Sequence, residues 1–230
     1  MLVEPTLDEH LLELDLQLLE ALRARIEAGG RAPDADAIAM RQLLETSPAK
    51  ALSPLGHSVL RAVWGRLEKQ SGPLTVWGTT AHRLAADRYG LAHHTANEPE
   101  DALAAARKGG RAILDVGKSS AWWGRLLAMP DLRVVGALPE FLREAPWALV
   151  VSTEASGPTG DDVTFWVTDS PQPESRIVTA LSDAGLAATM LRSAGGLKLF
   201  VLAGYVQAED GRLNGAPGTL SGVIGAAPLF

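Results

Sequence analysis

The stretch Leu74-Thr-Val-Trp-Gly-Thr-Thr-Ala-His-Arg-Leu-Ala-Ala-Asp-Arg-Tyr-Gly90 decides how the middle of the chain is read. Leu74 to Trp77 is short, apolar and β-branched, and predicts a strand. Gly78-Thr79-Thr80 makes a turn, and Ala81 to Tyr89 carries helix formers until Gly90 stops them. Glu98 to Lys108 then predicts a helix entered through Asn97, and Ala112 to Val116 a buried strand. This order is βαβ-like and implies a partly parallel sheet. Trp122 to Met129 adds a helix, and Leu132 to Val135 and Trp147 to Val151 add two strands.

Upstream, the period changes at Ser71-Gly72-Pro73, a predicted domain boundary. Thr6-Leu7-Asp8-Glu9 fits a capping box at the start of a helix. Leu11, Leu12, Leu14, Leu18, Leu19, Leu22 and Ile26 recur at steps of three and four, and Leu16 widens the stripe beyond one face. A helix this apolar needs more than one partner. Gly29-Gly30 ends it, and Pro33 to Glu45 predicts a second helix with Ile38, Leu43 and Leu44 inward. Ser53-Pro54 supplies a cap and a first-turn proline for a third, which bears Leu55, Val59, Leu60, Val63, Trp64 and Leu67. Three helices over residues 6–71 make a thin core, so a homodimer is expected.

Downstream, Ser156-Gly157-Pro158-Thr159-Gly160 is a second turn-prone boundary. Beyond it the patterns predict a strand (163–168), a helix (174–184), strands at 188–192 and 198–204, a loop-rich stretch and a last strand near 223–226. That is β-α-β-β, a degenerate crossover and β, close to the ferredoxin-like pattern. The predicted fold class is therefore α+β and multidomain. It comprises a three-helix module at 1–71, a short α/β module at 72–157 and a ferredoxin-like module at 158–230.

Composition narrows the function. Hydrophobic residues make up 47% of the 230, enough to bury a core, and the net charge is −6 with no lysine-rich tract, which argues against nucleic acid. No apolar run approaches the roughly 18 to 20 residues that span a bilayer. Met1 to Thr6 lacks the basic and apolar regions of a signal peptide, so a cytoplasmic protein is expected. The absence of cysteine removes disulfides, thiolate chemistry and cysteine metal sites. The basic residues are mostly arginine, which suits paired donation to carboxylates.

Several short motifs bear two readings. Gly117-Lys118-Ser119 looks like the end of a phosphate loop, but the glycine needed five residues earlier is Ala112. Lys118, Ser119 and Ser120 follow a strand and precede a helix, where anions collect; Gly78-Thr79-Thr80 has the same geometry, or is simply a turn and cap. His93 and His94 are adjacent, point to opposite faces of a strand and do not share a metal. Trp122-Trp123 can stack an aromatic ligand or pack on the sheet, and Asp161-Asp162 is read as a solvated linker. Arg61 and Arg66 either face solvent or line an anion pocket. No cofactor motif is present, and none is expected.

The order of these segments resembles the bacterial bifunctional chorismate mutase–prephenate dehydratase proteins. In that family an all-helical AroQ-class mutase precedes a dehydratase domain and an ACT domain that senses phenylalanine. Thr6 to Arg25 is similar to the opening mutase helix, Arg41-Gln-Leu-Leu-Glu45 to part of the second, and Val76 to Gly90 to the dehydratase opening; Glu98 to Val116 is similar to its next helix and strand. The resemblance implies that chorismate is gripped by cations, since its rearrangement needs no nucleophile. It places Arg25, Gln70 and Asp36 at catalytic positions, and Arg61 in a rebuilt anion pocket.

The chain also departs from the family. The other first-helix arginine corresponds to Asp8, the lysine lies in a lost stretch, and an Arg-Glu pair becomes Ala39-Met40. Each lost cation at a dianion site costs about 2 to 5 kcal/mol. The dehydratase's Glu-Asn-Ser segment is replaced by Val116-Gly-Lys-Ser-Ser120, and its Thr-Arg-Phe motif has no counterpart before Thr164-Phe165-Trp166. Glu174-Ser175-Arg176 matches a phenylalanine-binding motif in letters but precedes the wrong element. The expectation is a mutase-related protein of aromatic amino-acid metabolism with weak or absent activity. The alternative is a non-catalytic scaffold that senses an aromatic metabolite or small carboxylate, or docks a protein partner.

Overall fold

A computed structural model describes residues 8–30, 32–52, 54–68, 72–117, 120–140, 145–154 and 156–229. Among them, helices α1 (Glu9–Glu27), α2 (Pro33–Leu44), α3 (Ser47–Lys50) and α4 (Pro54–Leu67) come first. Then follow β1 (Leu74–Trp77), α5 (Thr79–Tyr89), β2 (His94–Thr95), α6 (Pro99–Arg107) and β3 (Arg111–Asp115). A 3-10 helix (Trp122–Ala128) leads to β4 (Arg133–Leu138) and β5 (Ala148–Ser152). The chain ends with β6 (Asp162–Thr168), α7 (Glu174–Asp183), β7 (Ala188–Ala194), β8 (Leu197–Ala203), a second 3-10 turn (Gly211–Leu213) and β9 (Ser221–Pro228).

The three-module fold is corrected by the strand pairing. All nine strands join one mixed sheet in the order β2-β1-β3-β5-β4-β9-β6-β8-β7, so the expected α/β and ferredoxin-like modules are halves of one sheet. The seam is the parallel pairing of β4 with β9 at Val134 and Gly225. Gly225 has φ 140°, and a Cβ there would stand 2.2 Å from the Val134 carbonyl oxygen, so the seam closes only on glycine. The core crosses it as well. A single apolar cluster holds Leu103 and Ala106 of α6, Trp122, Trp123 and Leu126, together with Phe165, Leu199 and Ile224 from the other half.

Period-two alternation sorts the β3 side chains between layers. Ile113 packs with Ala81 and Ala85 of α5, while Ala112 and Leu114 pack with Ala102 and Leu103 of α6. The short, almost unbranched faces of α5 and α6 let both helices lie close to the sheet. On the far half, Ile177 and Leu181 of α7 cover Trp166 and Phe200.

The leading helices are not an independent three-helix core. Among the described residues their buried apolar side chains are Ala37 and Met40 of α2, and α1 buries none. Asp8 caps α1, its Oδ1 accepting from the backbone N–H groups of His10 and Leu11; the expected cap Thr6 lies outside the described residues. Polar bonds fasten this layer. Arg41 of α2 donates to the carbonyls of Thr159, Asp161 and Leu229 and to the Thr159 hydroxyl. Asp162, read as linker, is buried and accepts from the Thr159 N–H and hydroxyl, which shapes the turn that Arg41 holds.

Candidate functional site

The parallel strands β1 and β3 end side by side, and their carboxyl ends open on a crevice of about 360 Å³. Thr80, Arg83, Leu84, Asp115, Gly117, Trp147 and Arg192 line it. Its size suits a small ligand, and the ends of parallel strands beside a helix N-terminus are where such ligands sit in α/β sheets.

Each wall has a local cause. Gly78 at φ 96° turns the chain from β1 into α5, and a Cβ there would stand 2.4 Å from Asp115 Cβ. The bare turn therefore lets Asp115, the last residue of β3, reach the first turn of α5. Its Oδ2 accepts from the Thr80 N–H at 3.2 Å, taking one of the N–H groups the helix start leaves unpaired. Trp122 is buried beneath and donates its indole N–H to the Asp115 carbonyl at 2.7 Å. Trp147, just before β5, is fixed by the Val116 N–H, which donates to its carbonyl, while its side chain stays 47% exposed.

Arg192 arrives from β7, on the opposite edge of the sheet. Its Nε donates to the Val116 carbonyl at 2.9 Å, and one Nη donates to the Leu191 carbonyl. Arg83 is exposed one turn into α5. Among the described residues neither guanidinium has a carboxylate partner, so Arg83 and Arg192 against Asp115 leave the crevice net positive.

The sequence candidates divide among three places. Thr80 lines the crevice, Thr79 is exposed on the same turn, and Ser120 is half-buried beyond Gly117. Lys118, Ser119 and Gln70 lie outside the described residues. Arg61 and Asp36 are buried elsewhere, in an ionic layer between α2, α4, α5 and the segment after β4. There Glu140 forms ion pairs with Arg88, whose Nε lies at 2.7 Å, and with Arg61, whose Nε lies at 3.4 Å, and Arg61 also lies 3.6 Å from Asp87. Arg111 bridges Glu68 at 2.7 Å and Glu154 at 2.8 Å. Arg88 Nη1 donates to the Arg61 carbonyl. Burial alone would lower the Arg88 guanidinium, but Glu140 above all overrides it and holds the group above its ordinary value; Glu68 does the same for Arg111. These arginines hold the helical layer to the sheet.

Arg25 lies in a third place, a groove between α1 and α4. Within one copy, then, Arg25 and Asp36 line different cavities. Arg66 is exposed on α4 and donates to the backbone of Ala62 and Asp87. Trp122 and Trp123 are both buried, which leaves neither ring open for stacking. Glu174, Ser175 and Arg176 form the exposed first turn of α7. His93 pairs with His82 of α5 at 2.9 Å, a contact no sequence pattern indicates. Among the described residues no three His, Asp or Glu side chains gather as a metal group, and no helix is long and apolar enough to cross a membrane.

Sequence reasoning missed Arg83, Asp115, Trp147 and Arg192. Asp115 and Arg83 had a usable signal, the end of a predicted strand and one turn past Thr80. Arg192 had none, since it reaches Val116 only through the assembled sheet.

No protein-family model matches the chain, and no curated protein matches it by sequence. Among solved structures it is similar to one described as "GqqA- a novel type of quorum quenching acylases", at 16% identity and a TM-score of 0.47, over 68% of this chain and 95% of that one.

Proposed function

We propose that this protein binds a small aromatic carboxylate of the chorismate branch in the β1–β3 crevice, and that it is a binding protein and not an efficient mutase. The observation that carries the reading is the pair Arg83 and Arg192, without carboxylate partners among the described residues, beside the α5 N-terminus and the half-exposed indole of Trp147. Guanidinium groups and a helix start favour a carboxylate, and an open indole favours a flat ring. The mutase arrangement has less support within one copy, because Arg61 is engaged with Glu140 and Asp87 while Arg25 and Asp36 line separate cavities.

Thermal shift with chorismate, prephenate, phenylalanine and tyrosine tests this directly. A ligand at 100 times its Kd stabilises by about 2.7 kcal/mol. We expect at least one to do so, and Arg83→Ala to weaken it about tenfold, or about 1.4 kcal/mol. No shift with any of the four, or equal shifts in Arg83→Ala, overturns the crevice reading. Chorismate loss above the spontaneous rate that Arg25→Ala abolishes would restore a mutase.

A further inference from the structure

We propose that His82 and His93 form a two-imidazole site for a divalent transition-metal ion, copper(II) or nickel(II) in preference to zinc(II), which staples α5 to the chain entering β2. The inference does not depend on the reading of the β1–β3 crevice.

The two rings meet because α5 stops on Gly90 at φ 90° and the chain doubles back. The His93 N–H donates to the Leu91 carbonyl at 2.9 Å, which tightens the return and sets His93 beside His82 of α5. His82 Nδ1 and His93 Nε2 then stand 2.9 Å apart, with ring centroids 5.0 Å apart. Both residues are half-buried, so the pair is open to an ion from solvent.

The surroundings of His93 fix its lone pair. Its Nδ1 stands 3.3 Å from the Gly90 carbonyl, which can only accept, and this assigns the ring proton to Nδ1 and leaves Nε2 bare toward His82. A bare ring nitrogen whose partner N–H is held by a backbone carbonyl is how metal-binding histidines are oriented. His82 meets the ion by carrying its proton on Nε2 in place of Nδ1. Among the described residues neither ring has a carboxylate partner and no third His, Asp or Glu gathers with them, so water completes the coordination.

The ligand set selects the ion. Two imidazoles without a carboxylate suit copper, nickel and zinc, whereas magnesium and calcium take oxygen ligands. Metal–nitrogen bonds of about 2.0 to 2.1 Å put two ligand nitrogens about 2.9 Å apart at a right angle and about 3.4 Å apart at a tetrahedral angle. The spacing here is that of the right angle, the arrangement of tetragonal copper(II) and nickel(II). A turn of each ring brings both lone pairs onto one ion.

The chain has no cysteine, and its other histidines are His10, His57 and His94, so the untagged full chain, stripped with chelator, isolates the site. Calorimetric titration should show one ion bound per chain, with affinity falling from copper(II) to nickel(II) to zinc(II) and no response to magnesium. His82→Gln and His93→Gln should each weaken nickel at least tenfold, and His94→Gln should leave it unchanged. Nickel at 100 times its Kd should raise the Tm of the parent by about 5 to 10 °C, and that of either glutamine variant by about half as much or less at the same concentration. The Tm of each variant without metal shows that it folds. Electron paramagnetic resonance of the copper(II) form should show two coupled imidazole nitrogens in the parent and one in either variant. No saturable binding, zinc bound tightest of the three, an affinity indifferent to both glutamines, or one lost as fully in His94→Gln overturns the proposal.

Discussion

Glu140→Gln is the sharpest test of how the helical layer is held. Glu140 follows β4 with its side chain 7% exposed, between Arg88 Nε at 2.7 Å and Arg61 Nε at 3.4 Å. Glutamine keeps the shape and removes the charge, leaving two buried guanidinium groups without the carboxylate between them. Breaking a buried ion pair from one side costs about 3 to 5 kcal/mol. Arg88 retains Glu68 at 3.9 Å and Arg61 retains Asp87 at 3.6 Å, which moves the expectation to the lower end, about 3 kcal/mol. In a chain of this size that is a fall in Tm of about 6 to 12 °C. Urea unfolding at neutral pH measures it, and a double-mutant cycle identifies the cause. Replacing Glu140 by leucine and Arg88 by methionine together should cost less than the sum of the single changes, since the pair leaves as a unit. A Glu140→Gln variant within about 0.5 kcal/mol of the parent, or additivity in the cycle, would refute the assignment.

Two further expectations concern contacts elsewhere in the fold. Arg41→Ala removes a charged fork that binds three backbone carbonyls and a hydroxyl in the turn before β6 and just after β9, and should cost about 2 to 4 kcal/mol by urea unfolding, with Arg41→Lys recovering part; an unchanged midpoint would show that the turn and the chain end hold without it. His82 is lowered from its ordinary 6.5, by burial first and then by His93. Above that value it is neutral folded and unfolded and contributes nothing to the pH dependence; as pH falls from 6.5 toward the lower folded value the unfolded chain takes up the proton first, so stability falls. The parent should lose stability in that window and His82→Gln should lose less, measured by unfolding between pH 7 and about pH 5; equal slopes would exclude His82.

Local patterning reached the elements. The runs at Leu74–Trp77, Ala112–Val116 and 163–168 lie within a residue or two of β1, β3 and β6, because strand period and turn chemistry act over a few neighbours. Thr80 was legible as a residue of the strand-to-helix turn that lines the crevice for the same reason, since a strand, a bare glycine turn and a helix start are contiguous. The crevice's charge was not. Arg83 reads as one more polar residue on a helix, and Arg192 belongs to a strand six places from β3 in the sheet order and reaches Val116 only in the folded chain. Arg61 misled in the opposite sense, because an arginine on a helix reads the same whether it awaits a ligand or is already paired with a buried Glu140.

By itself, then, the sequence determined where the longer strands and helices form, the apolar excess of α1 and the absence of thiol chemistry, all of which depend on side chains and their near neighbours, while the short α3 and β2 went unread. Only the tertiary structure decided that two predicted modules share one sheet. That outcome turns on the close approach of Gly225 to Val134, a contact between residues far apart in the chain that no local period encodes. It likewise decided which arginines hold the fold and which face the crevice, because burial and partnership are properties of the assembled chain.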